Sequence, residues 1–409
     1  MNFEILNVQE PPLFDMTIAY AEKRTHPPYA SSSFNNNDEI RIPIQQQDIY
    51  TLPWYSTLHV QGKVKVYGKD NAVLPPSSVE FVNMGILFLF NEIRYEISGD
   101  SIDTVRNPGI ASVLKGYATY NESQSKALQN SGWFPKEQST IIDGVSGSFD
   151  VIIPLHMVLG LCEDFKKVLV NARQELVLRR GSDDSNAFLL DDDLDKTVKL
   201  SLEKISWRVP HITTTIKEQL KLLDIVKSAK ELYIPFRSRE LHEYPVLPQT
   251  QKHTWAIKSA IEKPQYVMFA LQTDRKNQLT KNCSRFDHCY LRNIKVFLND
   301  THYPYDNLNI NFVNNQYALL YEMFTNFQNS FLYKESEPIF TPKEFKDIAP
   351  IAVIDCSKQN EELKRSAVDI RIEFETSVNI PDKTTAYCLI LHDRIAKYIP
   401  IKNIISLVR

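Results

Sequence analysis

The stretch VEFVNMGILFLFNEIRYEIS, residues Val79–Ser98, joins an apolar run to a strict alternation. No position from Met84 to Phe90 carries a polar side chain, which favours a strand buried on both faces. The residues that follow alternate between apolar and charged, as in a strand with one face in water. The apolar set is Ile93, Tyr95 and Ile97, and the charged set is Glu92, Arg94 and Glu96. The stretch therefore predicts a β-sheet protein.

The same pattern returns about half a chain later. Residues Phe88–Tyr95 and Val296–Tyr303 share an apolar triplet, an Asn, an acidic residue, two free positions and a Tyr. The separation is 208 residues. On this match we expect Asn91 and Asn299 to occupy equivalent places in two related modules.

A helix signal follows each copy of the pattern. Asn107 precedes Pro108, which suits the first position of a helix. After the second copy, a set of apolar residues has the spacing of one helix face: Leu320, Met323, Phe324, Phe327 and Phe331. Together with the recurrence, these helices predict two related modules of roughly 200 residues each. Two unrelated β-domains with a coincidental match are the alternative.

Composition divides the chain into three parts. Residues 1–38 form an N-terminal arm, 39–212 the first module, and 213–409 the second module, which begins with a linking helix. Residues 26–38 are rich in Pro, Ser and Asn and have little to bury. We therefore expect the arm to stay off its own barrel and to contact a neighbouring copy, or to order on assembly. A disordered tail without a role is the alternative.

Local signals refine the strands and the linking helix. Thr215 and Glu218 have the spacing of a capping box ahead of an apolar stripe. The alternation that begins at Val198 changes parity near Lys204, which predicts a bulge there. The clearest two-faced strand has an apolar set predicted to face a barrel interior: Val368, Ile370, Ile372 and Phe374. About eight strands per half and a few short inserted helices predict an all-β fold of two tandem jelly-roll β-sandwiches.

Composition also limits the function. The chain has 47 basic and 50 acidic residues and a net charge of −3, which argues against wholesale nucleic-acid binding. Its five cysteines include no CxxC pair, so we expect reduced thiols and no disulfide, in a chain made in the cytosol or nucleus. No apolar run approaches the length of a membrane-spanning helix.

Motifs for catalysis or metal binding are weak. Residues 287–289, Asp-His-Cys, together with His302, form a possible ligand cluster, but strand residues on mixed faces explain them better. The acidic run Asp191–Asp195 lacks the glycine and the bidentate glutamate of a calcium loop. No phosphate-binding loop or nucleophile elbow occurs. We expect no catalytic, cofactor-binding or metal-binding residues, no cofactor and no enzyme activity.

Eight stretches carry a family resemblance: Phe34–Ile42, Gln45–Pro53, His59–Gly62, Leu89–Ile97, Val105–Gly109, Ile153–Leu155, Gln174–Leu178 and Ser284–Cys289. They resemble the double jelly-roll major capsid proteins of Polinton/Maverick-type elements and related insect-associated DNA viruses. The resemblance spans most of the chain, and its motifs are structural.

The resemblance implies a homotrimer whose six barrels form a pseudo-hexagonal capsomer, with many capsomers tiling an icosahedral shell. The partners would be other copies of the chain and a penton or minor capsid protein. The place would be the virion capsid, after synthesis in the host cytoplasm. Two other interpretations remain: a two-domain cupin-like or glycan-active enzyme on the same β architecture, and a host-domesticated assembly protein descended from a capsid.

Overall fold

The computed structural model describes residues 17–29, 34–44, 50–190, 196–228, 230–258, 261, 263–358 and 368–408. The strands of the first half are β1 (Ile18–His26), β2 (Glu39–Pro43), β3 (Tyr50–Thr51), β4 (Thr57–Tyr67), β5 (Val73–Leu74), β6 (Val79–Phe81), β7 (Phe90–Ile97), β8 (Asp100–Arg106), β9 (Ser148–Pro154), β10 (Leu169–Val170), β11 (Gln174–Arg180), β12 (Phe188–Leu190) and β13 (Thr197–Thr214). Those of the second half are β14 (Leu232–Tyr244), β15 (Lys252–Ile257), β16 (Pro264–Thr273), β17 (Leu291–Leu298), β18 (Thr301–Tyr303), β19 (Ala352–Asp355), β20 (Ile370–Thr376), β21 (Thr384–Ile399) and β22 (Ile404–Val408). The α-helices are α1 (Gly85–Phe88), α2 (Pro108–Thr119), α3 (Glu122–Leu128), α4 (Gly160–Asp164), α5 (Ile216–Lys227), α6 (Ala318–Leu332) and α7 (Pro342–Ile348).

Each half is a sandwich of two antiparallel sheets. In the first half one sheet has the strand order β1-β13-β4-β9 and the other β2-β11-β7-β8. In the second half the orders are β14-β21-β16-β19 and β15-β20-β17-β18. Taken in chain order, the eight strands of each half are strands B to I of a jelly roll, with sheets B-I-D-G and C-H-E-F. This topology confirms the predicted fold of two tandem jelly rolls.

Strand β1 corrects the expectation for the arm. It pairs antiparallel with β13, from Ile18 opposite Thr214 to His26 opposite Trp207. The expectation that residues 1–38 stay off their own barrel is therefore wrong for residues 18–26, which form the first strand of the first jelly roll. Composition indicates only how much side-chain area a segment can bury. Most side chains of β1 are exposed, and its backbone groups form hydrogen bonds with the edge of β13.

Other parts of the arm lie outside the described residues, namely 1–16 and 30–33, and so does the acidic run at 191–195. The division of the chain at residues 38 and 212 stays a prediction, with β1 now counted with the first module.

The apolar run from Met84 to Phe90 is a turn of helix and not a strand. Met84 is left-handed with φ 57°, α1 follows it, and β7 begins at Phe90. A buried apolar run of this length fits a helix segment as well as a strand, so the run alone could not decide. Glycine is required at position 85, the first residue of α1, because a Cβ there would lie 2.7 Å from the carbonyl oxygen of Ala187. The apolar half of the alternation after the run is confirmed, since Ile93, Tyr95 and Ile97 are buried. The opposite face is less open than predicted, because Glu92 and Arg94 are half-buried and Glu96 is buried against arginine side chains.

The two modules share their topology but not the register of the sequence match. Asn91 is the second residue of β7, whereas Asn299 lies in the two-residue turn that follows β17. The turn at that place in the first module is Ser98-Gly99. The expected equivalence of Asn91 and Asn299 is therefore wrong, although both copies of the pattern involve strand E, the fourth strand of each jelly roll.

Two local predictions have opposite outcomes. The bulge near Lys204 is confirmed, because the pairing of β13 with β4 shifts register between Leu202 and Lys204. The capping box is wrong, because the Thr215 side chain makes no capping hydrogen bond and Glu218 binds Lys221 instead, at 2.6 Å. None of the described helices is long and apolar enough to cross a membrane.

The last strand of each jelly roll extends past its neighbour. Strand β4 pairs with β13 only as far as Arg208, and β3 pairs with the next part of β13 at His211 and Ile212. Likewise, β16 pairs with β21 as far as His392, and β22 pairs with the remainder, residues 395–399. Both extensions thus obtain a hydrogen-bonding partner, from different parts of the chain.

The predicted facing of β20 and the two residues before it is confirmed, since Val368, Ile370, Ile372 and Phe374 are all buried. Replacing Ile372 with Asp would place an unpaired charge in the core. We expect a loss of about 3 kcal/mol or more in the free energy of unfolding, measured by urea denaturation. The control is Glu375→Asp, which places an aspartate on the outward face of the same strand without a change of charge and should cost less than about 1 kcal/mol. Equal stability of the two variants would contradict this facing.

Candidate functional site

The two jelly rolls meet along a seam with charged groups at its centre. The inter-barrel charge cluster consists of Lys115 on α2, Glu163 and Asp164 on α4, and Arg237 and Arg239 on β14. The first three belong to the first module and the two arginines to the second. Both carboxylates of the cluster are thus paired with arginines of the other module, and breaking such buried pairs is strongly destabilising.

Glu163 lies between two cations. Lys115 Nζ donates to Oε1 at 2.6 Å, and Arg239 Nη2 donates to Oε2 at 2.7 Å. Lys115 is only 4% exposed and Arg239 1% exposed, so water can replace little of either contact. Next to this triad, Arg237 donates to both carboxylate oxygens of Asp164, from Nη2 to Oδ1 at 2.5 Å and from Nε to Oδ2 at 2.9 Å. This bidentate geometry gives arginine its specificity for carboxylates.

The charges shift the acidity of these groups. Burial by itself would raise the pKa of Glu163, but Lys115 and Arg239 outweigh burial and lower this pKa to about 2. Burial lowers the pKa of Lys115 to about 8, against the opposing effect of Glu163. Both groups are therefore ionised at neutral pH. Burial also lowers the pKa of the neighbouring His156 to about 4, which keeps that ring neutral.

Close backbone contact places α4 against β14. A Cβ on Gly160 would lie 1.8 Å from the carbonyl oxygen of Arg237, so only glycine fits at this point. The buried Asp103 of β8 accepts hydrogen bonds from the Leu161 backbone N–H at 2.9 Å and from Ser238 Oγ at 3.0 Å. Burial raises the pKa of Asp103. This carboxylate thus ties the start of α4 to the second module.

Further contacts cross the seam on both sides of the cluster. Tyr117 OH donates to the Ser284 carbonyl at 2.8 Å, and the Leu190 N–H donates to the Leu279 carbonyl at 2.8 Å. Towards the other end, Tyr398 OH donates to the Asn171 carbonyl at 2.6 Å. Lys115 Nζ of the first module also lies 4.9 Å from the centroid of the Phe331 ring on α6 of the second. Hydrogen bonds therefore connect the two modules at several points along the seam.

The residues weighed as metal ligands do not converge. Asp287 is paired with Arg275 at 2.6 Å, and the His288 ring stacks on Phe312 with centroids 4.5 Å apart. His302 stacks instead on Tyr305. Across the described ranges, no three or more His, Cys, Asp or Glu residues are arranged to hold a metal ion. That the protein has no metal-binding residues stays a prediction.

All five cysteines are free and buried. Burial raises the pKa of the Cys289 thiol to about 11 and that of Cys283 to about 12, so neither is a thiolate at neutral pH. Buried neutral thiols behave as small apolar side chains, which matches the structural role expected of them.

Residues 79–396 match the family model of the double jelly roll-like domain. This stretch covers more than half of the chain and includes strands of both sandwiches, so the chain belongs to the double jelly roll-like domain family. A search of curated protein sequences finds no match.

Solved structures of viral proteins share the fold. The chain is similar to a chain of the Sputnik virophage structure, with a TM-score of 0.64, 10% identity, and coverage of 98% of this chain and 91% of that one. It is also similar to the Faustovirus major capsid protein, with a TM-score of 0.60, 9% identity and coverage of 96% and 92%. The mavirus major capsid protein gives a TM-score of 0.57, 10% identity and coverage of 98% and 92%. At such identities the likeness is one of fold.

The triad at the seam can be tested by replacing Glu163 with Gln. This change leaves Lys115 and Arg239 buried without their anion, and we expect a loss of about 3–5 kcal/mol in the free energy of unfolding. The control, Glu218→Gln, removes the exposed pair with Lys221 and should cost less than about 1 kcal/mol. Urea denaturation measures both. Similar small losses would show that the triad does not stabilise the seam.

Glu163 should also make the free energy of unfolding depend on pH. Because the folded pKa of Glu163 is about 2, below its ordinary value of 4.5, its contribution is complete above about pH 4.5 and disappears as the pH falls towards 2. We expect the unfolding free energy of the Glu163→Gln variant to fall less over this window than that of the wild type. Parallel pH profiles of the two proteins would contradict this assignment.

Proposed function

We propose that this protein is a major capsid protein that assembles as homotrimers. The observation that carries the proposal is the pair of complete jelly rolls of equal topology, joined side by side by a buried charge cluster. One chain then supplies two barrels in fixed orientation, and three chains around a threefold axis supply six. Six barrels give a pseudo-hexagonal capsomer, and such capsomers can tile an icosahedral shell.

The comparisons support this proposal at the level of fold. Two of the similar structures are major capsid proteins, those of Faustovirus and mavirus, and each is covered over more than nine tenths of its length. We accordingly propose a structural, non-enzymatic role in the capsid of a virion. A host-domesticated descendant of a capsid protein would assemble in the same way.

The principal partner in this proposal is a further copy of the chain. Hexagonal units alone cannot close an icosahedron, because its twelve vertices are fivefold. We therefore propose a penton or minor capsid protein as a second partner. Synthesis in the host cytoplasm before assembly belongs to the same proposal.

The proposal predicts the mass and shape of the purified protein. Size-exclusion chromatography with light scattering should give a particle of three times the 47.3 kDa chain mass. Negative-stain microscopy should then show hexagonal outlines, alone or tiled into shells. A stable monomer at micromolar concentration that forms no larger particle under any assembly condition would refute the proposal and favour the two-domain enzyme.

A further inference from the structure

Helix α5, the connection between the two modules, presents an apolar face to solvent. Ile216 is 78% exposed, Leu220 57% and Leu223 39%. None of the twelve residues of this helix is buried. Single exposed apolar residues are ordinary, but a helix this short gains most of its stability from packing an apolar face. The exposed stripe therefore indicates a docking surface.

The stripe follows from the spacing of its residues. Ile216, Leu220 and Leu223 are separated by four and three positions, so they lie along one side of α5. The partly buried residues Leu222 and Val226 lie to another side, together with Ile225, which is 39% exposed. The stripe therefore points away from the side of α5 that packs on the subunit. The stripe is thus free to meet another surface.

Two opposite charges lie beside the stripe. Lys217 and Asp224 are seven positions apart, which places them on the same flank of the helix. Both are exposed, and neither forms an ion pair with another residue in the described part of the chain. Lys221 and Glu218, by contrast, are paired with each other. The flank therefore carries one unused positive and one unused negative charge.

This pattern is complementary to itself in an antiparallel arrangement. Around a twofold axis, any residue i of one copy that meets residue j of the other is matched by j meeting i. Lys217 of each copy would then face Asp224 of the other, while Leu220 packs against Leu223. We propose that α5 docks on α5 of a second copy of this chain, antiparallel, with the apolar stripe at its centre and the two ion pairs at its rim.

The symmetry of this contact places it between trimers. A trimer has a threefold axis, whereas an antiparallel pair of identical helices needs a local twofold axis, so the two helices belong to different capsomers. A pair of twelve-residue helices buries too little area to hold two proteins together alone. The contact would act together with its repeats over many capsomers. This inference rests on the proposed capsid function.

The N-terminal segment is the competing occupant. The backbone carbonyl of Thr17 accepts from the Thr215 N–H at 3.1 Å, so Thr17, the residue that follows this segment in the sequence, lies beside the start of α5. This segment contains Glu4, Glu10 and Asp15 and no Lys or Arg. It could therefore satisfy Lys217 but would leave Asp224 unmatched or repelled. The two occupants differ in what they require of Asp224.

Charge exchange on the full-length protein separates them. Lys217→Asp and Asp224→Lys each put like charges face to face in the helix pair, and we expect either variant to raise the critical concentration for shell assembly about tenfold. The double variant restores opposite charges and should return this concentration to within about twofold of the wild type. The difference should shrink at roughly 1 M salt. The control is Gln219→Asp, an exposed position two residues from Lys217 and therefore on the opposite side of α5, which should leave the critical concentration unchanged.

The outcomes are distinct. The α5 pair is supported if each single variant weakens shell assembly and the double variant restores it. Light scattering should show unchanged trimers for all these variants. If Asp224→Lys assembles as well as or better than the wild type while Lys217→Asp is weakened, the N-terminal segment is the occupant and the inference is overturned. If all variants assemble alike, the inference also fails while the capsid proposal stands. If the wild type forms no trimer, the capsid proposal itself fails.

A cysteine variant gives a readout that does not depend on complete shells. All five native cysteines are buried, so Leu220→Cys would introduce an exposed thiol, at the position of the stripe nearest the local twofold axis of the proposed helix pair. We expect mild oxidation of concentrated trimers to link chains of different trimers through this thiol. The control Lys221→Cys should form no such link. Failure of the Leu220→Cys variant to crosslink more than this control would overturn the inference.

Discussion

A carboxylate buried between two cations holds the two halves of this molecule in register. Glu163 is reached by Lys115 from the same module and by Arg239 from the other. Removing three charges from water is costly, and the cost is recovered only when all the hydrogen bonds form together. The cluster therefore contributes orientation more than attraction. A different angle between the barrels would leave buried ions unpaired, so the seam tolerates one arrangement.

The linking helix α5 differs from the rest of the subunit in the surface that it presents to solvent. The barrels share a topology, yet the linking segment between them carries an apolar stripe outside the folded core. In a single chain such a stripe is a liability, because exposed apolar area favours unspecific association. Flanking charges of opposite sign limit which partners fit. The interior of the protein thus supplies rigidity, and its linking helix supplies selectivity.

Much of the fold could be predicted from the sequence because side-chain facing in a strand is a local property. Alternation alone is enough to assign Ile93, Tyr95, Ile370 and Ile372 to the core. Strand β1 was missed because edge pairing satisfies backbone groups, which composition does not record. The charge cluster was missed because its members are 48 and 76 residues apart. One signal was available: α2 has small and apolar residues on every face and a single charge, Lys115, and every residue of this helix is buried.

The extended ends of β13 and β21 show how a duplicated architecture is finished separately in each copy. A strand that extends past its neighbour leaves a row of free N–H and C=O groups, and such rows recruit any extended peptide nearby. The first module covers this row with Tyr50-Thr51, from upstream in the chain, and the second with Ile404–Val408, from its last residues. These two rows are accordingly closed to strands of other copies of the protein, so amyloid-like stacking cannot begin at them.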